Sequence, residues 1–155
     1  MILDSLLEFA NATSVAAAAG TALIGDVIDL QEARDIGNGE PIYLVIQCAT
    51  SIITGGSAGT VKFQLASDAQ AAVATDGSAT VHFDTGTFVT DGDDANALDA
   101  GATIAAVALP MEGNAYERYL GILCVTATHT TTAGAINAFL TKDVSKWKAY
   151  ADGQN

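Results

Sequence analysis

The chain has 155 residues, of which 50% are hydrophobic and 15% are charged, and its 18 acidic and 6 basic residues give a formal net charge of −12. This composition argues against disorder, and the negative charge argues against nucleic acid or an anionic membrane as a partner. No apolar run approaches the roughly 20 residues of a membrane-spanning helix. We therefore expect one domain over residues 1–155, whose length allows a core without disulfide or metal.

The first 13 residues predict an arm ahead of the domain. Four apolar residues there have the spacing of one helical face; they are Leu3, Leu6, Leu7 and Ala10. The stretch is short, so both a helical turn and an extended arm remain open. The start also lacks a basic segment before its apolar residues, which makes it a poor secretory signal and predicts synthesis in the cytoplasm.

The rest of the chain predicts an all-β fold with little helix. Runs of β-branched and aromatic residues alternate with clusters of Gly, Asp, Asn and Ser, which is typical of a jelly-roll β-sandwich. We predict about eight antiparallel strands, near residues 14–19, 22–30, 42–50, 60–67, 79–89, 102–109, 118–128 and 135–142. After them, residues 143–155 form a tail that contains Trp147 and Tyr150 beside lysines.

The strands are of two kinds. In residues 60–67, Val61, Phe63 and Leu65 alternate with polar residues, which indicates one face in the core and one in water. Residues 42–50, 118–128 and 135–142 are apolar on both faces. A sandwich buries only one face of each sheet, so a second buried surface is needed. A subunit interface supplies it most simply, and loops that cover the outer faces are the alternative.

The candidates for chemistry are weak. The loop TDGDDANALDAG at 90–101 fails the EF-hand pattern because Ala95 and Ala97 occupy ligand positions, which favours a solvated turn. His82, expected to point outward, and His129 have no second His or Cys at metal-ligand spacing. Cys48 and Cys124 lie in apolar runs, as buried free thiols do. No nucleophile elbow or phosphate-binding loop occurs, so we expect no enzyme activity, no metal and no cofactor.

Several segments of the chain resemble the cement, or decoration, proteins of tailed bacteriophage capsids. They are MILDSLLEFANA, VIDLQEARDIGNGEPIYLVIQ, VKFQLASDAQAA and the pair RYLGILCVTAT and TAGAINAFLTKD. The similarity runs from Met1 to about Asp143. Its most specific parts are Asp29-Leu30 followed by Arg34, Asp35, Gly37 and Gly39-Glu40-Pro41, and the Arg118-Tyr119-Leu120 strand opening.

The resemblance implies a jelly-roll subunit that forms homotrimers on the outer surface of an icosahedral head. There it would clamp neighbouring copies of the major capsid protein, after synthesis in the host cytoplasm. The resemblance brings no catalytic residue with it. A carbohydrate-binding β-sandwich module on a virion or cell surface is the alternative function, because tyrosine and tryptophan rings can stack on sugars. The candidate rings are Tyr43, Tyr116, Tyr119, Trp147 and Tyr150.

The two ends of the chain supply the candidate contact residues. Leu6, Leu7 and Phe9 near the start, and Trp147 and Tyr150 near the end, are apolar groups that a small sandwich does not obviously need. Because termini are commonly disordered unless docked, these residues predict contacts with the capsid or with another subunit. The alternative is that they fold back onto their own subunit or a trimer neighbour.

Overall fold

The computed structural model describes residues 4–36, 39–55, 57–90, 98–111 and 113–144. The chain begins with a single 3-10 turn, η1, at Ser5–Leu7. Nine strands follow: β1 Glu8–Ser14, β2 Gly20–Asp29, β3 Tyr43–Thr54, β4 Thr60–Asp68, β5 Thr80–Asp84, β6 Phe88–Val89, β7 Thr103–Ala108, β8 Tyr119–Ala127 and β9 Thr131–Thr141. Within the described ranges, no helix has the length and apolar character needed to cross a bilayer.

The strands form two antiparallel sheets. The four-stranded sheet has the order β1-β9-β3-β7, and the five-stranded sheet has the order β2-β8-β4-β5 with β6 paired to β4. Strands that are neighbours in a sheet are mostly distant in sequence, because the chain crosses from one sheet to the other between most successive strands. This arrangement is the jelly roll, and it confirms the predicted all-β sandwich.

The core lies between the sheets. Its largest fully buried members include Phe9, Leu44, Phe63, Ile122 and Ile136. The alternation predicted for residues 60–67 is confirmed, since Val61, Phe63 and Leu65 are buried in the core while the side chains between them are partly exposed. Burial of each such side chain contributes about 1.5–3 kcal/mol to folding.

The first strand lies earlier than predicted. Residues 8–13 were expected to be an arm, with a strand at 14–19, whereas β1 covers Glu8–Ser14 and pairs with β9. The register shifts twice within this pairing, and Ala12 has a φ of 47°. These bulges break the period-two pattern by which a strand is recognised in a sequence.

The strand predicted at 79–89 is two strands. β5 ends at Asp84, whose carboxylate accepts a hydrogen bond from the backbone N–H of Gly86 at 2.8 Å. This Asx-type turn separates β5 from the short β6. Counting β6, the described residues form nine strands where about eight were expected.

Candidate interaction surfaces

The outer face of the five-stranded sheet is partly covered by its own chain. The loop between β4 and β5 brings Val73 against Ala66 and Leu123, and all three side chains are buried. Asp68 holds the loop in place, because its carboxylate accepts hydrogen bonds from the backbone N–H groups of Gln70 and Ala74, both at 3.0 Å. At this position, loop cover explains the two-sided apolar strand and no subunit interface is required.

The outer face of the four-stranded sheet also buries apolar side chains. Leu44 and Ile46 point into the core, so Val45 between them points to the outer face, where it is 0% exposed. Phe139 lies directly opposite Val45 in the β3–β9 pairing and is buried as well. Both residues are therefore shielded within a single chain.

Some large apolar side chains in the described ranges remain exposed. They are Leu6, Leu7, Ile53, Val81, Val89 and Met111. Leu6 is the most exposed, at 78%. It lies in η1, where its backbone N–H donates to the Asp4 carboxylate at 3.0 Å and the N–H of Leu7 donates to the Asp4 carbonyl at 2.9 Å. A capped turn thus presents a leucine to solvent.

The predicted contact residues fall into three groups. Leu6 and Leu7 are exposed at the start of β1. Phe9 is only 1% exposed and belongs to the core, so its prediction as a contact residue is wrong. Its ring folds back onto its own subunit, which was the alternative. Trp147 and Tyr150 lie outside the described residues.

An apolar cavity of about 320 Å³ lies at the β7 edge of the four-stranded sheet, opposite the β1 edge. It is lined by Gly39, Pro41, Ile42, Ala108, Leu109 and Met111. None of these side chains carries a charge or a hydrogen-bonding group. The cavity can therefore recognise an apolar side chain by shape and by exclusion of water, and it offers no group for catalysis.

The described surface carries more negative than positive charge. The four basic residues in the described ranges each form an ion pair within the chain: Arg34 with Glu32, Lys62 with Asp84, Arg118 with Asp29, and Lys142 with Glu40. Arg118 binds both carboxylate oxygens of Asp29 at 2.8 Å, which lowers the pKa of Asp29 to about 2. The described cations are thus matched internally, and the acidic excess faces solvent.

A partly buried polar network includes His82. Its Nε2 lies 2.7 Å from the Ser67 hydroxyl, and its ring stacks on Tyr116 with centroids 4.0 Å apart. The Ser67 oxygen accepts a hydrogen bond from the backbone N–H of Glu117 at 3.0 Å. The Ser67 hydroxyl can donate to Nε2 of a neutral imidazole, or its oxygen can accept a second hydrogen bond from an Nε2–H, and the tautomer of His82 decides between these two arrangements. Burial lowers the pKa of His82, opposed by the nearby carboxylates of Glu117 and Asp35.

The alternation of the sequence predicts an outward-facing His82, so this network was not expected. A register shift between Leu65 and Ala66 in the β4–β5 pairing turns the ring inward. A serine beside a histidine resembles a nucleophile and its base, but Ser67 is fully buried and substrate cannot reach it. The network fastens β5 and the segment before β8 to the end of β4.

The cysteines are free and buried, as predicted. The Cys48 thiol donates to the Leu98 carbonyl at 2.9 Å, and burial raises the pKa of both thiols to about 11. Neither is therefore a reactive nucleophile. In the described part of the chain, no group of three or more His, Cys, Asp or Glu residues could hold a metal ion. Asp91, Asp93 and Asp94 of the acidic loop lie outside the described residues.

A comparison with protein-family models identifies the family of this chain. The Bbp16 family model matches residues 9–140, which extend from β1 to β9 and therefore include both sheets. The chain belongs to the Bbp16 family. A search of curated proteins found no match. The family match thus includes Phe9 and the Ser67–His82 pair, while Leu6 and Leu7 precede it.

Proposed function

We propose that this Bbp16-family protein is a capsid decoration protein, which binds the outside of an icosahedral phage head as a homotrimer and stabilises the lattice of the major capsid protein. The proposal includes no catalytic step. Its basis is the resemblance to phage cement proteins, together with the way the residues that carry this resemblance interact in the fold.

The most specific segments of the resemblance contact one another. Asp29 and Arg118 come from separate segments 89 residues apart and form the bidentate ion pair, while the Leu30 N–H donates to the Arg118 carbonyl at 2.8 Å. Glu40 of the Gly-Glu-Pro segment binds Lys142 at 2.6 Å. These contacts join β2 to the start of β8, and the segment before β3 to the residue after β9. This observation carries the proposal, since it supports the resemblance as one of whole subunit architecture.

Decoration would act through binding energy alone. A trimer on a symmetric lattice repeats one contact three times, and after the first contact the others are effectively intramolecular. A protein that binds the assembled lattice better than its dissociated subunits shifts the equilibrium toward the lattice. The acidic excess would keep decorated heads apart in solution.

The structure weakens the carbohydrate-binding alternative. Tyr116 is buried beneath His82, and the Arg118 guanidinium lies over the Tyr119 ring, 4.9 Å from its centroid. Among the candidate rings in the described ranges, only Tyr43 is without such a neighbour or deep burial. A stacking platform for sugars needs accessible rings, and this surface supplies few.

The test is cosedimentation of the full chain with purified, undecorated phage heads from the matching source, together with the solution mass of the free protein. We expect saturable binding to heads and the mass of a trimer. An Asp29→Asn variant serves as a control for folding, because it removes an internal pair without touching an exposed apolar residue. Retention on a glycan array, with no binding to heads, would favour the carbohydrate-binding module.

A further inference from the structure

Three buried threonines lie together at one end of the sandwich. Thr54 ends β3, Thr131 begins β9 and Thr90 directly follows β6, and their exposed fractions are 7%, 1% and 1%. A hydroxyl group that is removed from water in this way is costly unless it is hydrogen-bonded. The hydrogen bonds of these three hydroxyls therefore matter for the stability of this end of the core.

The Thr131 hydroxyl has no hydrogen-bond partner among the described residues. The backbone of the same residue is paired, since its N–H donates to the Ala17 carbonyl at 2.9 Å and its carbonyl accepts from the Ala17 N–H at 3.1 Å. A buried hydroxyl without a partner bears its full desolvation penalty. A hydrogen-bonding molecule at the Thr131 hydroxyl would therefore stabilise the fold.

The strand register places Thr131 opposite Thr54 in the pairing of β9 with β3. Both backbone groups of Thr131 bond to Ala17, so Thr54 and Thr131 form a non-hydrogen-bonded pair. The side chains of such a pair lie on one face of the sheet, with Cβ atoms about 4.5–5.5 Å apart. A single water molecule, which forms two hydrogen bonds of about 2.8 Å, spans a gap of this size.

The Thr90 hydroxyl lies beside Thr54 and is weakly bonded. The Thr54 hydroxyl lies 2.6 Å from the Ser57 carbonyl oxygen and 2.7 Å from the Thr90 carbonyl oxygen, so its single hydrogen is already in use. The Thr90 hydroxyl oxygen lies 3.3 Å from that of Thr54, which is long for an O–H···O hydrogen bond. The Thr90 hydroxyl can therefore bond more strongly to a closer acceptor.

Gly59 shows that a carbonyl oxygen lies close to the same place. A Cβ added at Gly59 would lie 3.1 Å from the Thr90 hydroxyl oxygen and 3.2 Å from the His129 carbonyl oxygen. These two oxygens come from separate loops and meet beside a residue that has no side chain. A buried water is typically held by about three polar groups, and Thr131, Thr90 and His129 supply that number.

We infer that a buried water molecule links the Thr131 hydroxyl to the Thr90 hydroxyl and the His129 carbonyl. The water accepts a hydrogen bond from Thr90, donates one to the His129 carbonyl and bonds to the Thr131 hydroxyl, which can donate or accept. It ties the start of β9 to Thr90, the first residue of the acidic loop. The site lies within one chain and is independent of the proposed function.

The bridge is tested with a double-mutant cycle of Thr131→Val and Thr90→Val in the full chain. We expect Thr131→Val to lower the thermal midpoint by about 2–4 °C. The double variant should lose less than the sum of the two single losses, because both hydroxyls bind the same water. The matched control pairs Thr131→Val with Thr141→Val, whose losses should add, since Thr141 is buried at the other end of β9 and bonds to the Asp143 carbonyl at 3.4 Å.

Two outcomes of the cycle would overturn the bridge. A Thr131→Val variant that is more stable than wild type would show that the hydroxyl is buried without any partner. Additive losses for Thr131→Val and Thr90→Val would show that the Thr131 hydroxyl bonds elsewhere, as it would after a rotation of its side chain.

A high-resolution crystal structure of the wild-type chain gives a readout that does not depend on the variants. We expect electron density for a water molecule within hydrogen-bond distance of the Thr131 and Thr90 hydroxyl oxygens. A Thr131 hydroxyl bonded directly to a protein group, or a site with no such density, would overturn the inference even if a valine variant failed to fold.

Discussion

At the scale of single residues, His82 couples the fold to pH. Its Nε2 lies 2.7 Å from the Ser67 hydroxyl, and burial lowers its pKa in the folded state. The unfolded chain therefore binds a proton at a higher pH than the folded chain does. The stability that the neutral ring contributes is complete above the unfolded pKa of about 6.5 and is lost as pH falls through the folded value.

We expect the urea midpoint of the wild-type protein to fall between pH 7.5 and pH 5. In His82→Gln, which keeps hydrogen-bonding capacity but does not titrate, this pH dependence should be reduced. His129→Gln is the control, because His129 is exposed in the loop between β8 and β9. Equal pH dependence in all three proteins would show that His82 is not the group responsible. Asp29, with a pKa of about 2, contributes only at lower pH.

Phe9 and Leu6 differ in burial, although the sequence predicts both as contact residues. Phe9→Ala removes a ring buried between the sheets and should lower the free energy of unfolding by about 3–5 kcal/mol. Leu6→Ala, measured in the same denaturant series under conditions where the protein is monomeric, should change it by less than about 0.5 kcal/mol. Comparable losses in the two variants would mean that η1 is part of the core.

At the scale of elements, the close approach of β2 to β1 depends on one glycine in the middle of β2. Gly25 has a φ of 67°, and a Cβ added there would lie 2.0 Å from the Phe9 carbonyl oxygen. Gly25→Ala must therefore displace the backbone of β1 as well as strain its own. Gly77→Ala is the matched control, since Gly77 has a φ of 95° but nothing lies within 4 Å of an added Cβ.

We expect the control to lose about 1–2 kcal/mol from the left-handed backbone alone, and Gly25→Ala to lose clearly more. Thermal or urea unfolding of the two variants measures the difference. Equal losses would show that the backbone of β1 moves away from Gly25 without a cost in stability.

The elements also show what the sequence can predict. The strands with regular alternation, such as β4, were located to within a residue, and the two-sided strands β3, β8 and β9 were recognised as buried on both faces. The errors, at β1 and at His82, coincide with bulges, where one extra residue reverses the face of every side chain beyond it. Loop cover by Val73 was also beyond prediction from pattern, since it depends on how Asp68 folds the following loop.

The candidate surface was predicted in part for the same reason. Leu6 and Leu7 stand out in a sequence because they are apolar near a terminus, and they are exposed. The cavity at the far edge of the sheet was missed, because Gly39 and Pro41 meet Ala108 and Met111 only after β3 and β7 have paired. Contacts that depend on strand pairing leave no local signal in the chain.

At the scale of the whole molecule, oligomerisation and attachment to a lattice are one energetic problem. If each copy contributes one weak contact, a monomer binds a head with that contact alone. A trimer that engages three equivalent sites gains avidity, typically a factor of about 10² to 10⁴, without any new interaction. Disruption of the contact between subunits should therefore weaken head binding even if the disrupted residue never touches the capsid.

Leu6→Asp tests whether the exposed leucine of η1 belongs to such a contact, because Leu6 is 78% exposed. We expect the variant to remain folded, to lose the trimer mass, and to bind purified heads at least about 100-fold more weakly than the wild-type protein. The measurement is a cosedimentation isotherm for each protein, with Val89→Asp as the control, because it adds the same charge to an exposed valine of the five-stranded sheet. If Leu6→Asp is monomeric but binds heads as tightly as wild type, avidity plays no part in attachment and a single subunit supplies the whole affinity.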